Sequence, residues 1–116
     1  MEFLALLSSG KGTWGQVAGL INRGEWDNII LIGSEFAEKF SLDKKHDFIK
    51  VDTSLSLVEL KQELAEKLKG KFQGTEVALS IASGDGKEHM ALISALLSLP
   101  VGVRFTALTK DGVVFL

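Results

Sequence analysis

Two loops rich in glycine and serine, each with a lysine, carry the residue types that bind phosphate. Their members are Ser8, Ser9, Gly10, Lys11, Gly12 and Thr13 in the first loop, and Ser83, Gly84, Asp85, Gly86 and Lys87 in the second. Each loop follows an apolar run of strand length and opens a segment of helical period. Backbone N–H groups at a helix N-terminus, with a lysine beside them, attract anions. The loops therefore predict an anion site, for which tight turns and helix caps are the alternative explanation.

The first loop also contains the glycine spacing of dinucleotide-binding proteins. Gly10, Gly12 and Gly15 match G-x-G-x-x-G after a strand, and Glu35 stands about 20 residues further on, where that motif has a ribose-binding acid. Two serines lengthen the turn before the first glycine, and a chain this short has no room for a substrate domain. A dinucleotide-dependent oxidoreductase would therefore need a second chain. The alternative function is a mononucleotide- or dinucleotide-binding enzyme subunit.

Composition limits the classes of protein that the chain can belong to. It has 116 residues, a hydrophobic fraction of 46%, a net charge of -2 and no cysteine. These values predict one folded domain over residues 1–116, without disulfides or a Cys-ligated metal, and we expect no bound cofactor and no metal site. The slight acidity argues against direct binding of double-stranded DNA. The N-terminal apolar run is too short to span a bilayer and lacks the flanks of a secretory signal, so we expect a cytoplasmic protein with no membrane partner.

Apolar runs of strand length alternate with segments of helical period along the chain. The expected strands are Phe3–Leu7, Ile29–Ile32, Phe48–Val51, Val77–Ala82, Val103–Leu108 and Val113–Leu116. The expected helices are Trp14–Asn22, a short one at Glu35–Phe40, Ser56–Lys69 and Lys87–Ser98. This alternation is typical of an α/β fold with helices on both faces of a mostly parallel sheet. We predict a three-layer, Rossmann-like domain with strand order 3-2-1-4-5 and an antiparallel strand 6 at the edge, because Asp111-Gly112 is a hairpin signal.

That strand order decides where a ligand can bind. The direction of the chain reverses between strands 1 and 4, so the loops at their carboxyl ends separate and form a crevice. The two loops rich in glycine and serine are these loops. We therefore predict that they face each other and bind an anionic ligand between them.

Other polar and aromatic residues have simpler explanations. His89, in the first turn of a helix, is either an acid or base at the crevice or a structural histidine, and the second is favoured. Asp85 and Glu35 together are a weak candidate for a hydrated Mg²⁺ beside a phosphate. Trp14 and Trp26 have the positions of packing residues, with base stacking as the alternative.

The second loop and its surroundings resemble a known family. Leu79 to Lys87 reads LSIASGDGK and is followed by Met90-Ala91-Leu92. This resembles the strand, the T-G-G-T-K loop and the apolar helix of CARF domains, the Rossmann-fold sensors associated with CRISPR systems. Trp26 to Glu35 and the first strand with its loop resemble the first two strands of that family. Ser83 replaces the usual threonine, and Asp85 replaces the second glycine, which places an acid where the family binds phosphate.

The resemblance implies a stand-alone or degenerate sensor domain that binds a nucleotide-type anion, such as cyclic oligoadenylate, as a homodimer. The ligand contacts carried over by the resemblance are Ser9, Gly10, Lys11, Ser83, Gly84 and Lys87. Any catalysis would be the slow, metal-independent ring cleavage of some relatives, and no catalytic residue is assigned. A structural α/β subunit whose loops bind nothing is the remaining alternative.

A homodimer is also predicted from the last helix. Lys87–Ser98 is apolar around more of its circumference than a surface helix needs, and a small domain cannot easily bury Met90, Ile93, Leu97 and Leu99 together. An exposed apolar patch marks an association surface, for which a twofold dimer is the commonest solution.

Overall fold

The computed structural model describes residues 1–8 and 11–116, which form one mixed sheet with helices on both faces. The strands in these ranges are β1 (Glu2–Leu7), β2 (Asn28–Gly33), β3 (Asp47–Lys50), β4 (Glu76–Ser80), β5 (Gly102–Thr109) and β6 (Gly112–Phe115). The helices are α1 (Trp14–Arg23), α2 (Leu57–Leu68) and α3 (Gly86–Leu97), with 3₁₀ turns at Lys11–Thr13 and Glu35–Lys39. No helix in the described ranges has the length and apolar content to cross a membrane.

The strand order is β3-β2-β1-β4-β5-β6, as the sequence predicts. All neighbouring pairs are parallel except β5 and β6, which form the antiparallel hairpin indicated by Asp111-Gly112. Gly112 has a φ of 99°, a backbone conformation that a tight hairpin turn requires and that glycine adopts without strain. The predicted fold class is therefore confirmed.

Strand β1 lies at the centre of the sheet, and every one of its residues is buried. Ala5 pairs with Leu31 of β2 on one side and with Ser80 of β4 on the other. A parallel strand covered on both faces needs apolar residues in succession, which explains the uninterrupted run from Phe3 to Leu7.

Successive side chains of β1 enter two separate core layers. Leu4 and Leu6 pack with α2 and α3, and Phe3 and Leu7 pack with α1. The buried stripe of α2 consists of Leu60, Leu64 and Leu68. Leu57, which the sequence places on the same stripe, is 37% exposed. Leu55, just before the helix, packs against the core in its place.

Strand β4 ends earlier than the sequence predicts. The apolar residues Ile81 and Ala82 predict a longer strand, but the strand ends at Ser80 and both residues are exposed. The Ser80 hydroxyl accepts a hydrogen bond from the Ala82 N–H at 3.4 Å, within the turn that follows the strand. Strand β5 continues to Thr109, so β4 extends only beside its first half, from Gly102 to Phe105.

Candidate ligand-binding site

The loops that follow β1 and β4 meet at the carboxyl edge of the sheet. Ser83 is fully buried, and its hydroxyl accepts a hydrogen bond from the Ser8 N–H at 2.9 Å. The same hydroxyl donates to Ser8 Oγ at 3.1 Å. The structure thus brings together the two loops that the strand order predicts to face each other, but these serines join them directly where a separation is predicted. It also gives Ser83 a structural role, since both hydrogen bonds hold the loops to one another.

A pair of acidic side chains occupies the N-terminus of α3, where the second loop ends. Asp85 Oδ1 accepts from the Glu88 N–H at 2.8 Å, and Glu88 Oε1 accepts from the Asp85 N–H at 2.8 Å. This reciprocal arrangement is a capping box, and Glu88 within it is 7% exposed. Two amides that an anion would use are therefore already bonded. Asp85 is therefore the N-cap of α3, a role that the comparison with a phosphate-binding loop does not predict.

Gly84 and His89 complete the packing of the second loop. Gly84 has a φ of 110°, and a Cβ there would stand 2.8 Å from both His89 Nε2 and a methyl carbon of Leu6. His89 Nε2 lies 2.7 Å from the Ser83 carbonyl oxygen, which can accept but not donate. His89 Nε2 is therefore the donor. This agrees with the structural interpretation of His89, and Gly84 is needed for the turn itself.

Lys87 points toward a third loop, outside the two that the sequence predicts to form the site. Its ammonium group donates to the carbonyl oxygens of Thr53 and Leu55, each at 2.8 Å. These residues belong to the segment between β3 and α2, which also starts at the carboxyl edge of the sheet. Lys87 thus fastens this segment to the start of α3. The polar run Asp52-Thr53-Ser54 after a predicted strand was the signal available in the sequence.

Asp52 organises the same segment from its other side. Its Oδ1 accepts from the Ser54 hydroxyl, at 2.5 Å, and from the Ser54 N–H, at 3.0 Å. The Ser54 hydroxyl is the main cause of a lowered pKa for the Asp52 carboxyl, followed by the Ser54 N–H and the positive charge of Lys87. The carboxylate is therefore ionised at neutral pH.

The α1 end of the crevice differs from the α3 end. Thr13 makes no capping hydrogen bond with its side chain, and no acidic residue lies in the first turn of either Lys11–Thr13 or α1. Gly12 is exposed, and a Cβ at Gly12 or Gly15 would meet no described atom within 4 Å. Ser9, Gly10 and the side chain of Lys11, all predicted ligand contacts, lie outside what the structure describes.

Open space at Gly15 bears on the dinucleotide hypothesis. In the G-x-G-x-x-G motif the third glycine lets the helix pack closely on the strand. A Cβ at Gly15 would contact nothing described, so this glycine is not needed for packing of that kind. Because Gly15 has no side chain, a ligand could approach the backbone closely at the start of α1.

Trp14 holds the start of the first loop through its indole ring. Its indole Nε1 donates to the Ser8 carbonyl oxygen at 3.1 Å, and its ring contacts those of Phe36 and Phe40, each at 5.8 Å between centroids. Trp26 packs in the same way, against Phe3 at 4.9 Å. Both tryptophans are packing residues, as the sequence analysis favours.

Glu35 lines a different cavity. It is exposed at the start of the turn after β2. The cavity has a volume of about 460 Å³ and lies between the ends of β2 and β3 and helix α2, with the lining residues Ser34, Glu35, Lys50, Val51, Asp52, Thr53, Ser54, Glu63 and Lys67. None of these residues belongs to the loops after β1 and β4.

An apolar cavity that the sequence did not predict lies beside the crevice. Its volume is about 370 Å³, and it occupies the space where β4 has ended and β5 continues. It is lined by Gln16, Ile81, Ala82, Phe105, Thr106, Ala107, Leu108 and Leu116. Gln16 stands in the first turn of α1 and Ile81 starts the loop after β4, so the cavity adjoins both halves of the crevice.

Within the described residues, no group of three or more His, Cys, Asp or Glu side chains is placed to hold a metal ion. A scan against protein-family models finds no match for this chain, and no curated protein matches its sequence. A functional proposal for this chain therefore rests on the geometry of the loops after β1 and β4.

Proposed function

We propose that the chain is a CARF-like sensor domain that binds a nucleotide-type anionic ligand at the crevice between the loops after β1 and β4. The observation that carries this proposal is the Ser8–Ser83 bridge, which fixes the two loops together at the point where the strand order reverses. Ligands of open α/β sheets bind at such a point.

The phosphate of the ligand binds at the α1 end of the crevice. That end has exposed glycine backbone, no acid in its first turn and Lys11 in its sequence. The α3 end has its first amides occupied by Asp85 and Glu88. An anion therefore gains more at α1, from both the helix dipole and the lysine. Lys87 supports the site by holding the 53–55 segment in place.

The apolar cavity accommodates the base of the nucleotide. Its lining by Ile81, Phe105 and Leu116 suits a flat, apolar group, and Gln16, which also lines it, offers an amide to the polar edge of a base. A site with one end that binds anions and one apolar end fits a nucleotide better than it fits inorganic phosphate.

The protein acts as a homodimer through the outer face of α3. Met90 is 58% exposed and Leu97 is 77% exposed, while Ile93 and Leu99 are partly buried against the core. The exposed patch on α3 is therefore smaller than the sequence suggests and consists mainly of Met90 and Leu97. The proposed function is binding, and no chemical step is assigned to the site.

A panel of ligands tests the proposal. We expect cyclic oligoadenylates to raise the melting temperature, because a ligand that binds the folded state stabilises it. The other members are ATP, NAD(P) and inorganic phosphate, and Lys11→Ala is compared with Lys110→Ala, a change at an exposed turn. Loss of the shift in the first variant alone supports the site. Stabilisation by NAD(P) alone supports the dinucleotide-binding alternative, and no shift with any ligand contradicts both.

A further inference from the structure

Strand β6 forms one edge of the sheet and carries no charged residue. It covers Gly112–Phe115 and lies at the end of the strand order, next to β5. The strand at the opposite edge, β3, begins with Asp47 and ends with Lys50, both exposed. Charged residues on an edge strand hinder its pairing with another chain. The β6 edge lacks this protection.

The backbone groups of Val113 and Phe115 point away from β5. The Leu116 N–H donates to the Phe105 carbonyl oxygen at 2.9 Å, so the backbone at position 116 faces β5. Because this direction alternates along a strand, Val114 also faces β5, and Val113 and Phe115 face outward. Each outward residue offers one N–H and one C=O group to a new strand.

We propose that this edge pairs with the β6 edge of a second copy of the chain, in antiparallel orientation and centred on Val114. In that register Val113 of each copy lies opposite Phe115 of the other, and Val114 lies opposite Val114. Both members of each Val113–Phe115 pair have outward-facing backbone groups, so each pair exchanges two hydrogen bonds. Self-pairing thus uses all the outward groups of the strand, with no like charges brought face to face.

The same register buries two exposed apolar side chains, those of Phe115 and of Leu116, which follows the strand. Leu116 is 80% exposed, and it comes to lie opposite Gly112 of the second copy, where a Cβ would have no described atom within 4 Å. Phe115 is 42% exposed and comes to lie beside Val113 of the second copy. Residues opposite each other in an antiparallel pair lie on the same face, so each face of the sheet continues into the second copy.

This contact is separate from the homodimer of the proposed function. An antiparallel pair of sheets places the two crevices at opposite ends, so the β6 contact does not build a shared ligand site. A chain that uses both the α3 face and the β6 edge links its dimers into a larger assembly. Because four residues make a short edge, the contact buries less than the roughly 1,200 Å² of a stable interface and is weak.

Cysteine cross-linking tests the register directly, because the chain has no cysteine of its own. Opposite residues in a pair without hydrogen bonds have Cα atoms about 4.5 Å apart, within the range that a disulfide spans. We expect Val114→Cys to form a covalent dimer under mild oxidation at least about tenfold faster than Lys110→Cys, which measures random collision. Val113→Cys is the matched control on the same strand, since its partner is Phe115, and it should cross-link slowly.

The outcomes separate this contact from the other surfaces. Rapid cross-linking of Leu97→Cys with slow cross-linking of Val114→Cys would place association on the α3 face and overturn the β6 contact. Equal rates for the Val114 and Val113 variants would overturn the register. As a second measurement, sedimentation should show that Val114→Lys reduces self-association, whereas Val114→Thr retains it. Ligand binding is assayed on the same variants, so loss of the β6 contact with binding intact leaves the proposed function standing.

Discussion

Ser83 and Ser8, which are 75 positions apart in the chain, share two hydrogen bonds at the carboxyl edge of the sheet. One joins the Ser8 N–H to the Ser83 hydroxyl, and the other joins the two hydroxyl groups. Because Ser83 is fully buried, water cannot easily replace its partners. This pair determines the relative position of the two loops that form the candidate site.

Removal of the Ser83 hydroxyl should therefore affect both stability and binding. We expect Ser83→Ala to lower the free energy of unfolding by about 1–3 kcal/mol, since Ser8 loses its buried partner. Urea denaturation measures this effect, with Ser41→Ala, at an exposed position, as the control. Ligand affinity should fall as well, because the loops lose their fixed spacing. Unchanged stability in Ser83→Ala would mean that the bridge does not hold the loops.

Asp85 allows the effect of charge to be separated from that of helix capping. We expect Asp85→Asn to leave the free energy of unfolding within about 0.5 kcal/mol, because asparagine caps helices as well as aspartate does. Without the negative charge, binding of an anionic ligand should strengthen by roughly 0.2–1 kcal/mol. Asp85→Ala also loses the cap and should destabilise the protein by about 1 kcal/mol. Calorimetry on the asparagine variant gives the charge effect alone, and weaker binding there would make Asp85 a ligand contact.

Lys87 is expected to contribute more to stability than its place in the loop suggests. Lys87→Ala leaves the Thr53 and Leu55 carbonyl oxygens without their shared donor. The free energy of unfolding should therefore fall by about 1–3 kcal/mol. Hydrogen exchange should also become faster in residues 52–55. Lys110→Ala serves as the control for removal of an exposed lysine. If Lys87→Ala weakened phosphate binding without any change in stability or exchange, Lys87 would be a direct ligand contact instead.

The carboxyl group of Asp52 should titrate below its ordinary value of 3.8. Because the folded-state pKa is lowered, the ionised form stabilises the fold above pH 3.8, and this contribution is lost as the pH falls through the lowered pKa. NMR titration of the Asp52 carboxyl carbon measures the shift. Ser54→Ala should raise the pKa most, since the Ser54 hydroxyl is the largest cause, and Lys87→Ala should raise it less. An ordinary pKa in the unmodified protein would contradict these contacts.

Much of the fold could be predicted from sequence because its signals are local. The apolar run Phe3–Leu7 indicates a strand covered on both faces, Ser56 and Glu59 mark the start of α2, and Asp111-Gly112 marks the hairpin. The strand order then follows from the short list of permitted connections.

The details of the site depend on contacts between distant parts of the chain. The sequence does not show that the Lys87 side chain reaches Thr53, 34 positions away. Nor does it show that β4 ends at Ser80 while β5 continues, since Ile81 and Ala82 are as apolar as strand residues. The apolar cavity arises from that difference in strand length and so could not be predicted. The Asp85–Glu88 capping box, by contrast, has a spacing that could be recognised in the sequence.

The most direct test of the proposed site is an NMR titration of the ¹⁵N-labelled protein with cyclic oligoadenylate. A ligand in the crevice should shift the amide signals of residues 11–16, of Ile81 to Ser83, and of the second half of β5, with smaller changes at the capped start of α3. The contradicting result is either no shift at saturating ligand or shifts clustered at the opposite edge of the sheet, around Asn28 and Gly74.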